Sequence, residues 1–102
     1  MWSQVRCART PWRQLVGLLG QASLKAEEGL WLVPCRMVHT VGMRFPIDVL
    51  FLDPSLRVVA LREAMAPLRI GRPYFRASSV LEVAAGAARE RGVQLGDQVK
   101  FV

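Results

Sequence analysis

The stretch "IDVLFLDPSLRVVALR", residues 47–62, has the pattern of a β-hairpin, and it decides the fold class of the chain. Its first six residues form an apolar run whose alternate side chains point to opposite faces of a strand. Ile47, Val49 and Phe51 share one face, and Asp48, Leu50 and Leu52 share the other. Asp53, Pro54 and Ser55 predict a turn, because proline presets one turn dihedral and aspartate bonds the backbone ahead of it. Residues 57–62 are then the return strand.

Four further segments outside this hairpin have the apolar or alternating pattern of short strands. They are residues 3–9, 29–33, 78–83 and 98–102. Residues 10–20 and 84–91 carry the start and stop signals of two short helices. Strands joined mainly by turns are too closely spaced for a wholly parallel sheet. The chain is therefore predicted to be mainly β, a small antiparallel barrel or sandwich of five to six short strands with two short helices.

The size and composition of the chain fit one compact domain. It has 102 residues, of which 52% are hydrophobic and 22% are charged, so residues 1–102 are expected to share a single core. No apolar run approaches the roughly 20 residues of a membrane helix, and Arg6, Arg9 and Pro11 interrupt any export signal. A cytoplasmic protein with no membrane association is expected, and its Cys7 and Cys35 are expected to be free thiols.

The formal net charge is +6, and 12 of the 14 basic residues are arginines. Cationic side chains bind nucleic acids by releasing counterions from the phosphate backbone. These arginines are spread along the whole chain, whereas a dedicated binder concentrates its charge on one helix face, arm or groove. We therefore expect no direct nucleic-acid binding and favour an anionic small molecule or polymer as the partner.

Asp48 lies inside an apolar strand, where a carboxylate needs a cation or backbone amides as compensation. Arg44, across the bend at Pro46, is the nearest cation, so a structural ion pair between Arg44 and Asp48 is one interpretation. The other has Asp48 orienting His39, as carboxylates orient catalytic imidazoles. The sequence leaves both open.

Glu82 presents the same problem, because it has apolar neighbours on both sides within a predicted strand. An arginine or His39 would be its partner if its side chain points inward. We hypothesise that the polar groups embedded in apolar segments converge at one end of the fold. They are His39, Arg44, Asp48 and Glu82.

His39 is the only histidine and titrates near neutral pH, which suits proton transfer or anion recognition. A half-buried imidazole bonded to a backbone carbonyl is the structural alternative. Cys35, His39 and Met43 are spaced four apart and offer soft metal donors. However, Pro34 and Pro46 bracket an extended stretch, in which residues four apart lie about 13 Å from each other. We predict neither a metal site nor a cofactor.

Residues 66–75 predict an ordered loop with no helix or strand. Arg69, Arg72 and Arg76 with Tyr74 and Phe75 are the one local concentration of cationic and aromatic side chains. Such a loop suits an anionic or planar ligand, held by forked hydrogen bonds and stacking. A solvated loop with two buried rings has the same pattern.

Four segments in order resemble the uncharacterised bacterial and archaeal family known as domain of unknown function 192. They are "VHTVGMRFPIDVLFLD" (38–53), "RVVA" (57–60), "VLEVAAG" (80–86) and "LGDQV" (95–99). The matching residues are His39, Thr40, Met43, Phe45, Pro46, Asp48, Phe51, Asp53, Glu82, Gly86, Gly96 and Asp97. The resemblance covers nearly the whole chain and implies a compact, mainly β fold, with no particular activity. Many members look exported or membrane-anchored, and we expect this chain to lack the leader they carry.

The leading functional hypothesis is a small binding module with a polar pocket near His39 and the loop of residues 69–76 as its rim. Its candidate ligand-binding residues are His39, Arg44, Asp48, Glu82, Arg69, Arg72 and Arg76. One alternative is an enzyme with His39 as general acid or base assisted by Asp48. Another is a protein-interaction module with Trp2, Trp12 and Trp31 as its contact patch, although three tryptophans also fit a core.

Overall fold

The computed structural model describes residues 2–9, 24–35, 45–66 and 74–100, and these ranges contain five strands and one short helix. The elements are β1 (Gln4–Ala8), β2 (Glu28–Leu32), β3 (Ile47–Leu52), β4 (Val58–Met65), β5 (Ser79–Ala84) and α1 (Ala87–Glu90). Each strand falls on a segment predicted as a strand, and β3 has the predicted bounds. The helix predicted over residues 10–20 lies outside the described ranges.

The five strands form one sheet in the order β1-β2-β5-β3-β4. β1 and β2 are parallel, and the other three pairs are antiparallel. The predicted mainly β class is confirmed. β1 and β4 are the two edges of this sheet, so in the part of the chain that is described the sheet is open. Hydrophobic layers on both faces fit the predicted sandwich better than a closed barrel.

The two faces of the sheet bury separate hydrophobic clusters, because β3 is buried along its whole length and β5 along all but its last residue. We call one the Glu82 face, which carries Leu30, Leu32, Ile47, Val49, Phe51 and Val80. We call the other the helix face, where Leu50, Leu52, Leu81 and Val83 pack with Trp2 and with Ala87 and Ala88 of α1. The alternation predicted for β3 is confirmed, since Val49 and Leu50 belong to different clusters.

The predicted turn between β3 and β4 is organised by Asp53. Its Oδ1 accepts hydrogen bonds from the amides of Ser55 and Arg57, both at 2.9 Å. Its carbonyl accepts the amide of Leu56, also at 2.9 Å. β4 extends past the predicted end at Arg62 to Met65, and it contains two β-bulges against β3. The hairpin is therefore longer and more strongly bent than the sequence pattern predicts.

The last two predicted elements are shorter than expected. Gly86 has φ 87°, a left-handed conformation that delays the start of α1 to Ala87, and Gly92 (φ 67°) follows its end. The predicted strand over residues 98–102 is reduced, up to Lys100, to a single bridge between Gln98 and Arg57. The backbone beside this bridge is bonded to the start of the return strand, with the Val99 amide donating to the carbonyl of Leu56 at 2.9 Å and the Val58 amide donating to the carbonyl of Asp97 at 2.9 Å.

Candidate functional site

Asp48 is fully buried on β3, and its carboxylate binds three backbone amides. Oδ1 accepts from Ala64 at 2.7 Å, and Oδ2 accepts from Gly86 at 3.0 Å and from Ala88 at 3.1 Å. These donors supply the compensation that a buried carboxylate requires. Asp48 thereby holds β4 and the start of α1 against β3, which is a structural role.

The donors for Asp48 exist because the chain departs from regular geometry at two places. Glu63 and Ala64 together oppose Asp48 across the β3–β4 pair, which makes a bulge, and Ala64 has φ 49°. Gly86 turns the chain into α1 and leaves amides of its first turn available. Of the two predicted kinds of partner, a cation or backbone amides, the structure shows amides.

Glu82 lies on the opposite face of the sheet from Asp48. It pairs with Leu30 on β2 and with Val49 on β3, which both belong to the Glu82 face, whereas Asp48 contacts α1 on the helix face. The hypothesis that both carboxyl groups converge in one pocket is therefore wrong. Whether His39 and Arg44 approach either of them stays a prediction, because both residues lie outside the described ranges.

The Glu82 side chain is only 5% exposed. No hydrogen bond or ion pair joins its carboxyl group to any residue within the four described ranges. Burial alone raises the pKa of Glu82 from its usual 4.5 to about 7, because the ionised form loses its hydration. A carboxyl group of this kind is half protonated at neutral pH and is suited to exchanging a proton or donating a hydrogen bond.

Glu82 stands at the centre of a row of side chains that crosses all five strands on one face. This row, which we call the Glu82 row, is Arg6, Leu30, Glu82, Val49 and Arg62. Adjacent strands are about 4.8 Å apart, so each arginine backbone lies about 10 Å from that of Glu82. Arg6 is exposed and Arg62 is half-buried. Sequence reasoning missed both arginines, because only the strand order reveals that they flank Glu82.

In residues 74–76, the described end of the loop of residues 69–76, the two aromatic rings lie in different environments. Tyr74 is half-buried and packs on Phe51, with 4.3 Å between ring centroids. Phe75 is 80% exposed, and Arg76 beside it is also exposed. The carbonyl of Tyr74 accepts the amide of Ala77 at 3.0 Å, which closes a tight turn around the exposed pair.

The other predicted site residues fall in two segments outside the described ranges, and the residues bounding these segments pack on one face. His39 and Arg44 lie between Cys35 and Phe45, which both pack against the cluster of the Glu82 face. Arg69 and Arg72 lie between Met65 and Tyr74, which belong to or pack against the same cluster. Described residues near the ends of both segments therefore pack on the face that holds Glu82.

A surface groove of about 420 Å³ lies at the β1–β2 edge of the sheet. Its lining includes Gln4, Arg6, Leu24, Glu28 and Gly29, so it reaches one end of the Glu82 row and does not include Glu82 itself. Glu28 is partly engaged there, because its Oε1 accepts the amide of Lys25 at 2.9 Å. The groove brings one cation and one carboxylate to the same edge.

The tryptophans do not form the predicted contact patch where they are described. Trp2 is fully buried on the helix face, with the Arg91 guanidinium 4.7 Å from its ring centroid, and Trp31 is half-buried. Trp12 lies outside the described ranges. The large hydrophobic side chains that are exposed among the described residues are Phe75 and Leu95.

Three further predictions concern disulfide bonds, metal ligands and membrane helices, and the described residues give the following findings. Cys7, which is exposed, and Cys35, which is half-buried, form no disulfide bond within the described ranges. No group of three histidine, cysteine, aspartate or glutamate side chains gathers within the described ranges, and His39 and Met43 lie outside them. A helix with the length and apolarity to cross a bilayer is not found among residues 2–9, 24–35, 45–66 and 74–100.

Comparison with protein families matches residues 1–101 to the family described as Uncharacterized ACR, domain of unknown function 192. A protein of unknown function from Novosphingobium aromaticivorans DSM 12444 has a similar structure, with a TM-score of 0.82 and 26% sequence identity. That alignment covers 94% of this chain and 73% of the other.

A second similar structure comes from Sinorhizobium meliloti 1021 and carries the description "putative transcription regulator". Its TM-score is 0.86 at 22% identity, with 94% of this chain and 79% of the other covered, and this likeness shows the fold alone. No curated protein matches the sequence. The fold is therefore shared with other solved proteins.

Proposed function

The chain belongs to the domain of unknown function 192 family, and on that premise we propose that it is a small binding module for an anionic small molecule or polymer. The proposed site lies on the Glu82 face, with the Glu82 row as its floor and the turn at Phe75 and Arg76 as its rim. The observation that carries the proposal is the row itself, in which a buried carboxyl group without a described partner is flanked by arginines on both sides.

The two arginines of the row supply attraction for an anion from opposite edges of the sheet. A guanidinium group keeps its charge at every physiological pH and matches carboxylate, sulfate or phosphate oxygens with paired N–H groups. Arg62 is half-buried, so its interactions with a ligand are screened less than those of a fully solvated charge. The net charge of +6 adds a general attraction for anions.

The rim supports the same ligand class by a different interaction. Phe75 presents an exposed ring next to the exposed guanidinium of Arg76 on a closed turn. A flat apolar surface beside a cation suits a ligand that joins an anionic group to a ring or a sugar. Tyr74, the first residue of this turn, is anchored to the sheet by its contact with Phe51.

We include His39, Arg44, Arg69 and Arg72 in the proposed site, because the described residues that bound their segments pack on the Glu82 face. We leave Asp48 out of it. Its oxygens hold three amides on the helix face, so its predicted role as a ligand-binding residue has no support there. The enzyme alternative, in which Asp48 orients His39, loses its support for the same reason.

We also propose that the protein acts in the cytoplasm, in keeping with the exposed thiol of Cys7. Cys7 is exposed on edge strand β1, where an oxidising compartment would leave it open to pairing. Direct nucleic-acid binding is not part of the proposal, since Arg6, Arg62 and Arg76 lie at separate margins of one face and form no continuous stripe.

The test uses two probes with the same oxyanion, sulfate and dextran sulfate, with neutral dextran as the control polymer. In NMR titrations at constant ionic strength, we expect the largest amide shifts along the Glu82 row. Arg62→Gln should weaken binding about tenfold, the scale of one charge-assisted hydrogen bond. Arg89→Gln removes the same charge from exposed α1, where Arg89 pairs with Glu63 at 3.2 Å, and should leave affinity nearly unchanged.

Binding of free sulfate would identify a small-molecule site, and binding of dextran sulfate alone would identify a polymer site. The proposal is wrong if neither probe shifts the amides of the row. It is also wrong if Arg62→Gln and Arg89→Gln weaken binding equally, because the attraction would then be a property of net charge.

A further inference from the structure

The sheet contains two buried carboxyl groups on neighbouring strands. Among the described residues, only one of the two receives hydrogen-bond donors that stabilise its ionised form. Asp48 receives three amide donors within 3.1 Å. Glu82 has Leu30 and Val49 as its lateral neighbours and receives no donor from the described residues. An ionised carboxylate in such a place is strongly disfavoured, whereas a neutral carboxylic acid lacks only an acceptor for its single hydroxyl proton.

We propose that Glu82 binds the ligand as a neutral carboxylic acid that donates its hydroxyl proton to a ligand oxygen, so that anion binding takes up one proton. This inference rests on the proposed function and specifies the ligand class as an oxyanion, such as a carboxylate, sulfate or phosphate group. In this step the Glu82 carboxylate takes up one proton, and the resulting hydroxyl group donates a hydrogen bond to the bound anion. No covalent bond between heavy atoms forms or breaks.

The direction of coupling follows from charge. An anion that approached an ionised Glu82 would meet a like charge in a site of low polarity, where repulsion is poorly screened. Protonation removes that repulsion and creates a donor at the same atom. Because burial already raises the pKa of Glu82 to about 7, the free protein needs little further energy to supply the proton at neutral pH.

The other charged groups on this face do not substitute for the proton. Arg6 and Arg62 stand two strands away from Glu82, with Leu30 and Val49 between, and no described ion pair links either of them to it. They are placed to neutralise the ligand. The remaining acidic or titratable groups of this face among the described residues are Glu28 at the start of β2, with Cys35 and Tyr74 against the cluster.

The experiment measures proton uptake by calorimetry, in buffers of different ionisation enthalpy, at pH 6, 7 and 8. The probes are again sulfate and dextran sulfate, because neither titrates in this range. If only the protonated form binds, the affinity of the wild type falls about tenfold from pH 6 to pH 8, and uptake approaches one proton at pH 8. Glu82→Gln keeps a permanent N–H donor, so it should bind with little pH dependence and take up almost no proton.

Binding without proton uptake, or equal uptake in wild type and Glu82→Gln, would overturn this inference and leave the binding function standing. Absence of binding at every pH would overturn both. A second measurement avoids the variant altogether: the carboxyl carbon of Glu82 is followed by NMR in the wild type. Its titration midpoint should rise when sulfate saturates the protein, and an unchanged midpoint would count against the inference.

Discussion

A buried carboxyl group is stable only when donors surround it or when it keeps its proton, and Asp48 and Glu82 illustrate the two cases. The sequence identifies both residues, because each is an acid within an apolar strand. It does not identify their partners. The donors of Asp48 come from Ala64, Gly86 and Ala88, which are brought to it by a bulge and a helix start rather than by any local pattern.

Replacement of Asp48 by asparagine tests its structural role. An asparagine side chain has one acceptor oxygen, so it cannot serve both Ala64 on one side and Gly86 with Ala88 on the other without facing an N–H group with its own NH₂. We expect a loss of about 2 to 3 kcal/mol in urea unfolding. Asp53→Asn is the matched control, since asparagine suits that turn, and it should cost well under half as much.

Replacement of Glu82 by glutamine tests the raised pKa through the dependence of stability on pH. The folded pKa, about 7, lies above the unfolded value of 4.5, so the folded state binds the proton more tightly and stability falls as pH rises between them. Relative to Glu82→Gln, the wild type should lose about 2 to 3 kcal/mol of unfolding free energy from pH 5 to pH 9. Glu90→Gln, an exposed change on α1, should leave the pH dependence intact. If the unfolding free energies of the wild type and of Glu82→Gln change equally with pH across this range, Glu82 has an ordinary pKa in the folded state.

At the scale of elements, the positions of the strands can be predicted from the local sequence, whereas the order in which the strands pair cannot. Alternation and turn residues predicted all five strands and the Asp53 turn. The parallel β1–β2 pair and the position of β5 between β2 and β3 depend on contacts between distant segments, which no local pattern encodes. The Glu82 row was therefore invisible in the sequence, because its five members come from five strands.

The bulge of β4 gives a prediction about backbone strain. Ala64 has φ 49°, a conformation that costs an L residue roughly 1 to 2 kcal/mol and costs glycine almost nothing. Ala64→Gly should therefore be neutral or stabilise the protein by up to about 1 kcal/mol in chemical unfolding. Ala85→Gly, at an exposed position without a positive φ, is the control and should destabilise by about 0.5 to 1 kcal/mol. A clear loss of stability in Ala64→Gly would contradict the assignment of strain to this residue.

At the scale of the whole molecule, the two faces of the sheet carry different sets of residues. The helix face is occupied by Trp2, α1 and the C-terminal residues Val93 and Val99, and Arg91 joins it to the β1–β2 connection through the carbonyl of Ala26 at 2.8 Å. The Glu82 face bears the arginines of both edge strands, and Cys35, Phe45 and Tyr74 pack against its cluster. Asp48 has a structural role on the helix face, and the proposed binding site lies on the Glu82 face.

The strand order also has a consequence for how the chain is made. β5 lies inside the sheet, between β2 and β3, yet it is the last of the five described strands to be synthesised. Until residue 84 has emerged, β2 has no antiparallel neighbour and the β3–β4 hairpin has an uncovered side. The sheet therefore cannot form until residue 84 has been synthesised, and a chain that ends before β5 keeps unpaired strand edges on β2 and β3, which favour aggregation.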